Sequence, residues 1–204
     1  MDWQALVDTR LALQHVPPAL REAAEERHIA AGELLFRLGA RPRSIFYVIE
    51  GEILLRRHAR NGQEIILQRT RGGFVAEASL DVPAYHCDAL APVAGVVVRF
   101  PIRAFKTALA EDKAFHQEWS RHLAREVRKL RAQCERLNLN TAAERIIHYL
   151  EAEGVDGAVT LTQTRSAWAA ALGLTHEALY RTLRRLQTEG ALDIDGKTIS
   201  IGKQ

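Results

Sequence analysis

The chain has 204 residues, 47% of them hydrophobic and 26% charged, close to globular averages, so neither a disordered nor a collagen-like chain fits. At roughly 150 residues per domain this is one large domain or two small ones. The net charge of +3 does not by itself mark a nucleic-acid binder, because from Thr141 onward seven Lys/Arg face eight Asp/Glu. No run approaches the roughly 18 apolar residues that span a bilayer, and Met1-Asp2-Trp3-Gln4 lacks the start of a signal peptide. A cytoplasmic protein with no membrane partner is expected. Two cysteines, Cys87 and Cys134, are too few for a disulfide scaffold or a four-cysteine iron–sulfur cluster, which the count excludes.

Short helices are predicted over Ala5 to Gln14 and, after Pro17-Pro18, over Ala19 to Arg27. From Ile29 to Phe100 short apolar or alternating runs punctuated by glycine replace them: Gly32 to Phe36, Ser44 to Glu50, Glu52 to Arg56, Glu64 to Gln68 and Val96 to Phe100. That spacing predicts an antiparallel sandwich or barrel, with Asn61-Gly62 as a type I′ hairpin turn. After Pro101, Ile102 to Leu109 and Lys113 to Leu137 contain neither Gly nor Pro and read as one long helix. Within it Leu123, Val127, Leu130, Cys134 and Leu137 step by four, three, four and three, the heptad of a coiled-coil seam. About 25 helical residues span about 38 Å, more than a small sandwich can cover, so the stripe points to self-association.

Asn138 to Asn140 breaks this helix at a hinge, and Thr141-Ala142-Ala143-Glu144 is a capping box that opens the next, through Glu151. Ser166 to Leu172, Gly173 and a helix over Glu177 to Leu186 with Thr175 as its N-cap form a helix-turn-helix. Leu172, Leu174, Leu179, Leu183 and Leu186 are expected inside. His176, Glu177, Tyr180, Arg181, Arg184 and Arg185 are expected outside, where Arg can fork onto guanine and Glu can accept from cytosine. Ala191 to Ile194, Asp195-Gly196 and Thr198 to Ile201 add a hairpin, making a winged helix with Lys197 near the turn and able to touch a phosphate.

From about Ile29 to Gly202 the chain resembles the CRP/FNR family of bacterial transcription regulators. The resemblance rests on Gly39, Ser44-Ile45-Phe46-Tyr47-Val48-Ile49-Glu50-Gly51, Asn61-Gly62, Gly73-Phe74-Val75-Ala76-Glu77-Ala78-Ser79-Leu80 and Leu172-Gly173-Leu174-Thr175-His176-Glu177 with Arg181. It implies an α+β protein: an N-terminal antiparallel, jelly-roll-like β-roll that senses an effector (1–110), a long dimerisation helix (111–139) and a C-terminal winged helix-turn-helix (140–204). It implies further that Glu177 and Arg181 read a G·C pair and its neighbours. His176 stands where the residue varies with the preferred base.

The resemblance also places an effector pocket at Glu77, Ser79, Cys87, Asp88, Leu130 and Arg131. In the members that bind cyclic AMP, Glu77 matches the ribose contact, but Cys87 and Asp88 stand where an Arg-Ser pair holds the phosphate. Leu130 and Arg131 replace the Thr-Ser pair on the adenine. An anion brought to a site without its cation costs several kcal/mol, so cyclic AMP is not expected as the ligand. His86-Cys87-Asp88 leaves a haem or redox sensor of the same fold as an alternative, although neighbours on a strand point to opposite faces.

The leading reading is therefore a homodimer, with no enzymatic activity, that binds an inverted-repeat site on double-stranded DNA. Its DNA-binding residues are Arg165, Thr175, His176, Glu177, Tyr180, Arg181, Arg184 and Lys197, and its interface is Leu123, Val127, Leu130, Cys134 and Leu137. The family adds RNA polymerase as a candidate partner. The rival is a ligand-binding β-barrel that does not bind DNA, which requires a cluster of ionisable residues in the barrel that the sequence does not display.

Overall fold

The computed structural model describes residues 1–62 and 64–202. The chain divides into two compact units, Met1–His122 and Leu123–Gln204; Lys203 and Gln204, which the expected 140–204 domain includes, lie outside the described residues.

In the first unit, α1 (Trp3–Thr9) opens under the Asp2 carboxylate, which accepts the N–H groups of Gln4 and Ala5, and α2 (Pro18–Glu22) opens on a proline. Both helices are shorter than the sequence predicts. Arg10 adopts an extended conformation, with a single 3-10 turn at Leu11–Leu13 following it. Glu25 to Arg27, expected as helix, belong to strand β1 (Glu25–Ile29), which pairs antiparallel with β8 (Gly95–Pro101). Arg99 holds Glu25 at 2.7 Å across that ladder, and sheet pairing overrides a helical preference worth only a few tenths of a kcal/mol per residue.

The remaining strands are β2 (Leu34–Phe36), β3 (Ser44–Glu50), β4 (Ile53–His58), β5 (Glu64–Thr70), β6 (Gly73–Val75) and β7 (Asp88–Leu90). Two four-stranded antiparallel sheets result, β1-β8-β3-β6 and β2-β7-β4-β5. One hydrophobic cluster draws on both, through Ile45, Val48, Ile53, Val75, Ala89, Val97 and Phe100. The hairpin at Asn61-Gly62 differs from the two-residue expectation. His58 pairs with Glu64, leaving five residues between them. Gly62 has φ +83 and donates to the Ala59 carbonyl, while Asn61 is not left-handed, as type I′ requires.

The long helix is two helices, α3 (Ile102–Glu111) and α4 (Lys113–Asn138). Asp112 is extended and its carboxylate accepts the Phe115 N–H at 2.8 Å, so an aspartate breaks the helix by capping the next one. Phe105 packs edge-on against Phe74, Phe100, Phe115 and Trp119, fixing α3 and the start of α4 on the sheet.

In the second unit, α5 (Ala142–Glu153) carries the complete Thr141–Glu144 capping box. It is followed by β9 (Ala158–Thr160), α6 (Arg165–Ala171), α7 (His176–Thr188), β10 (Leu192–Asp195) and β11 (Thr198–Ile201). The sheet order is β10-β11-β9. Strand β9 goes beyond the expected hairpin, being too short to show an alternating pattern. The wing turn is Gly196-Lys197, one residue later than the sequence predicts, because Asp195 pairs with Thr198 and Gly196 carries the positive φ of 56°. Ile146, Leu150, Trp168, Leu172, Leu179 and Ile199 form the centre of this core.

Among the described residues of the β-roll, Ala76 is the one non-glycine residue with a left-handed backbone. It is buried, left-handed at φ 80° and ψ 17°, and precedes the 3-10 turn Glu77–Ser79. An L-residue there costs about 1–2 kcal/mol, of which about 0.5–1 kcal/mol is offset by the greater unfolded-state freedom of glycine. Ala76→Gly should therefore stabilise the protein by about 0.5–1 kcal/mol in urea denaturation; a loss of stability would show that the alanine methyl has a packing role that outweighs the strain.

Candidate nucleic-acid interface

Three short-range choices build the helix-turn-helix. Thr164 caps α6 by accepting the Ala167 N–H at 3.2 Å, and Thr175 caps α7 by accepting the Ala178 N–H at 3.1 Å. Between them Gly173 sits at φ +64, a conformation that costs glycine nothing. Leu174 then donates its N–H back to the Ala169 carbonyl, closing the turn.

Helix α7 divides cleanly. Leu179, Thr182, Leu183 and Leu186 are buried, with Leu172 buried and Leu174 half-buried beside them. His176, Glu177, Tyr180, Arg181, Arg184 and Arg185 are exposed, as the pattern predicts, and Glu177, Arg181 and Arg184 share one face at steps of four and three. A shallow concavity of about 620 Å³ on this side is lined by Tyr180, Arg181, Arg184, Arg185, Thr188 and Glu189. Arg185 is occupied by Glu189 at 3.1 Å. Among the described residues, neither Arg181 nor Arg184 has a carboxylate within ion-pair distance.

Arg165 is placed differently from a free phosphate contact. It is half-buried, its Nη2 donates to the Gly196 carbonyl of the wing turn at 3.0 Å, and its guanidinium lies 5.8 Å from the centre of the Tyr180 ring. Tyr180 in turn packs on His176 at 4.5 Å. The wing, α6 and the exposed face of α7 are thus tied together, with Lys197 exposed on the turn.

On α4, Leu123, Val127, Leu130 and Leu137 are 37%, 45%, 51% and 46% exposed, and Cys134 is exposed with them. Their neighbour Arg136 is instead buried, with Glu153 at 3.3 Å and the Tyr149 ring at 4.8 Å; burial lowers its pKa against the opposing effect of Glu153. The apolar stripe therefore stands in water while one arginine of the same helix is inside.

The expected effector residues fall in separate units. Glu77, Ser79, Cys87 and Asp88 belong to the first, whereas Leu130 and Arg131 belong to the second and are exposed. Glu77 faces His122, Oε1 to Nε2 3.5 Å apart, with His122 seated between the Phe74 and Trp119 rings. That pairing has no signature in the sequence, where His122 is one histidine among several. Ser79 is buried, and Asp88 accepts the Leu38 N–H at 2.8 Å. Cys87 is buried in the core while His86 is exposed, the alternation expected of extended backbone. Among the described residues no three His, Cys, Asp or Glu side chains are grouped to hold a metal ion.

Burial pushes the Cys87 thiol up, Asp88 pushes it further, and Arg57 partly opposes both. A thiol raised in this way carries less thiolate at any pH below its pKa than an ordinary cysteine does. In a Cys134→Ser background, maleimide at pH 8 should leave Cys87 unlabelled until the protein is unfolded; fast labelling of the native protein would contradict this placement.

Comparison with known proteins follows the same division. The family described as cyclic nucleotide-binding domain matches residues 26–112, and the Crp-like helix-turn-helix domain matches residues 144–203. Among solved structures, FixK2 from Bradyrhizobium japonicum is similar at 22% identity and TM-score 0.67, covering 87% of this chain and 92% of its own. A regulatory protein from Silicibacter pomeroyi is similar at 26% identity and TM-score 0.60, covering 98% and 94%. A CRP-family transcriptional regulator from Thermus thermophilus is similar at 22% identity and TM-score 0.57, covering 87% and 92%. No curated protein sequence matches. A cyclic nucleotide-binding-type β domain followed by a Crp-like helix-turn-helix defines a transcription regulator with a DNA-binding C-terminal domain. The chain belongs to the CRP/FNR family.

No helix among the described residues is long and apolar enough to cross a membrane.

Proposed function

We propose that the protein is a homodimeric, sequence-specific regulator that acts in the cytoplasm by binding an inverted repeat, without catalysis, under control of a signal received by the β-roll. The observation that carries this reading is the exposed face of α7, where Glu177 and Arg181 stand one helical turn apart. Glu177 accepts from a cytosine N4 while Arg181 donates to a guanine, and His176, Tyr180 and Arg184 flank them. Thr175 holds the first turn of α7 in place. Lys197 and the remaining donors of Arg165 contact phosphates, which add affinity without sequence preference. Pairing runs along Leu123, Val127, Leu130, Cys134 and Leu137, and RNA polymerase is the further partner such a regulator engages.

Fluorescence anisotropy on cognate and scrambled duplexes over a salt series tests the assignment of roles. Arg181→Ala should cost about 1–3 kcal/mol on the cognate site and little on the scrambled one. Lys197→Ala should weaken both alike and flatten the salt slope by about one unit. Equal losses on both duplexes for Arg181→Ala would mean that it does not read a base.

The signal is not cyclic AMP in this reading. Two placements support that: position 87 offers a buried thiol in place of a cation, and the Glu77 carboxylate already faces His122. A haem held jointly by Cys87 and His86 gains no support, since one side chain is buried and the other exposed. Calorimetric titration with cyclic AMP should give no binding heat; micromolar affinity would refute the assignment.

A further inference from the structure

The sequence reads Asn138 to Asn140 as a free hinge, but Asn138 is the last residue of α4 and only Leu139 to Thr141 separate it from α5. Their surroundings are those of a locked elbow. We propose that Arg145 is a positioning residue that fixes the recognition helix α7 against the end of α4, and so sets the half-site spacing that the dimer accepts. This rests on the dimeric, DNA-binding reading above.

The guanidinium of Arg145 bridges three segments. Its Nε donates to the Leu139 carbonyl at 3.0 Å and Nη2 to the Leu137 carbonyl at 3.4 Å, on the α4 side of the elbow. Its Nη1 donates to the carbonyls of Gly173 at 3.1 Å and Leu172 at 3.3 Å, in the turn of the helix-turn-helix. Carbonyls at the ends of α4 and α6 have no intrahelical donor and carry the negative ends of those helix dipoles, so a cation satisfies them better than a neutral donor does. Lysine cannot replace the fork, because its donors radiate from one point.

Packing points the same way. A Cβ added at Gly173 would stand 2.9 Å from Leu137 Cδ2 and 3.1 Å from Arg145 Nη1, so the turn is seated directly on the last turn of α4. Arg136 on Glu153 at 3.3 Å, and His148 on Glu135 at 3.2 Å, hold the end of α4 to α5 independently of Arg145. From Gly173 only Leu174 separates the clamp from Thr175, the cap of α7. Those ion pairs stop at α5, whereas Arg145 donates both to the end of α4 and to the turn that leads into α7, so with α4 paired to its copy the separation and twist between the two α7 helices are tuned by Arg145. One base pair moves a half-site by about 3.4 Å and about 34°, so DNA spacing reads this geometry sensitively.

The experiment takes an inverted repeat selected by the wild-type protein from a randomised pool. It is rebuilt with one or two base pairs added to or removed from its centre, and also as a single half-site. Wild type, Arg145→Met and Arg145→Lys are titrated on each by anisotropy, with circular dichroism melts alongside. Wild type should lose at least about tenfold in affinity when one base pair is added or removed. Arg145→Met should keep half-site affinity within about twofold while its affinities across spacings fall within about threefold of one another, and Arg145→Lys should follow it. A spacing profile unchanged in the variants overturns the proposal, and so does an equal loss on every duplex including the half-site, which would mean that Arg145 only supports folding. Should Arg145→Met fail to fold, Arg145→Lys alone decides between these outcomes. Wild-type protein that cannot distinguish any inverted repeat from scrambled DNA removes the DNA-binding reading itself, and the positioning role with it.

Discussion

Four aliphatic side chains, Leu123, Val127, Leu130 and Leu137, stand between about a third and a half exposed along one face of α4, and the proposed dimer depends on covering them. Water beside an aliphatic side chain is unfavourable by about 25 cal/mol for each Å² that could be buried. The heptad spacing lets an identical helix offer the same face in register, so that a two-fold arrangement buries each stripe against its copy. Arg136, on the same helix, is buried against Glu153 and Tyr149, while the apolar stripe is left exposed. In the proposed dimer each copy brings one α7, which doubles the DNA-reading surface.

The second constraint is rigidity close to the DNA-reading face. Thr164, Gly173 and Thr175 shape the helix-turn-helix, Arg165 joins it to the wing through Gly196, and Arg145 joins its turn to the end of α4. Those hydrogen bonds fix main-chain groups and leave Glu177, Arg181 and Arg184 exposed. Preorganised side chains lose less freedom on binding, which favours discrimination between bases over indiscriminate attraction to phosphate. In the β-roll the Glu77–His122 contact joins the 3-10 turn after Ala76 to the first half of α4, through a histidine packed on Phe74 and Trp119.

Elements with a strong local signature are legible in the sequence. The Thr141–Glu144 capping box, the Gly173 turn, the Thr175 cap and the apolar stripe of α4 each arise from neighbours within one or two helical turns, and each is found where the residues imply. The failures share a cause of the opposite kind. Glu25 to Arg27 become a strand because of Arg99 and its neighbours more than seventy residues away, and β6, β7 and β9 are three-residue strands defined by their partners. Asp112 ends one helix by capping the next, a role that a continuous helical pattern conceals. Arg145 looks like any exposed helical arginine until four carbonyls from three segments surround it.

Sedimentation equilibrium of the wild-type chain beside Leu130→Glu, in the same buffer and over the same concentrations, tests most directly whether the stripe on α4 is what the rest depends on. Two carboxylates facing each other across a paired seam cannot both be buried. The account predicts a dimer for the wild type and a monomer of unchanged helical content for the variant. A dimer that survives the substitution would contradict it.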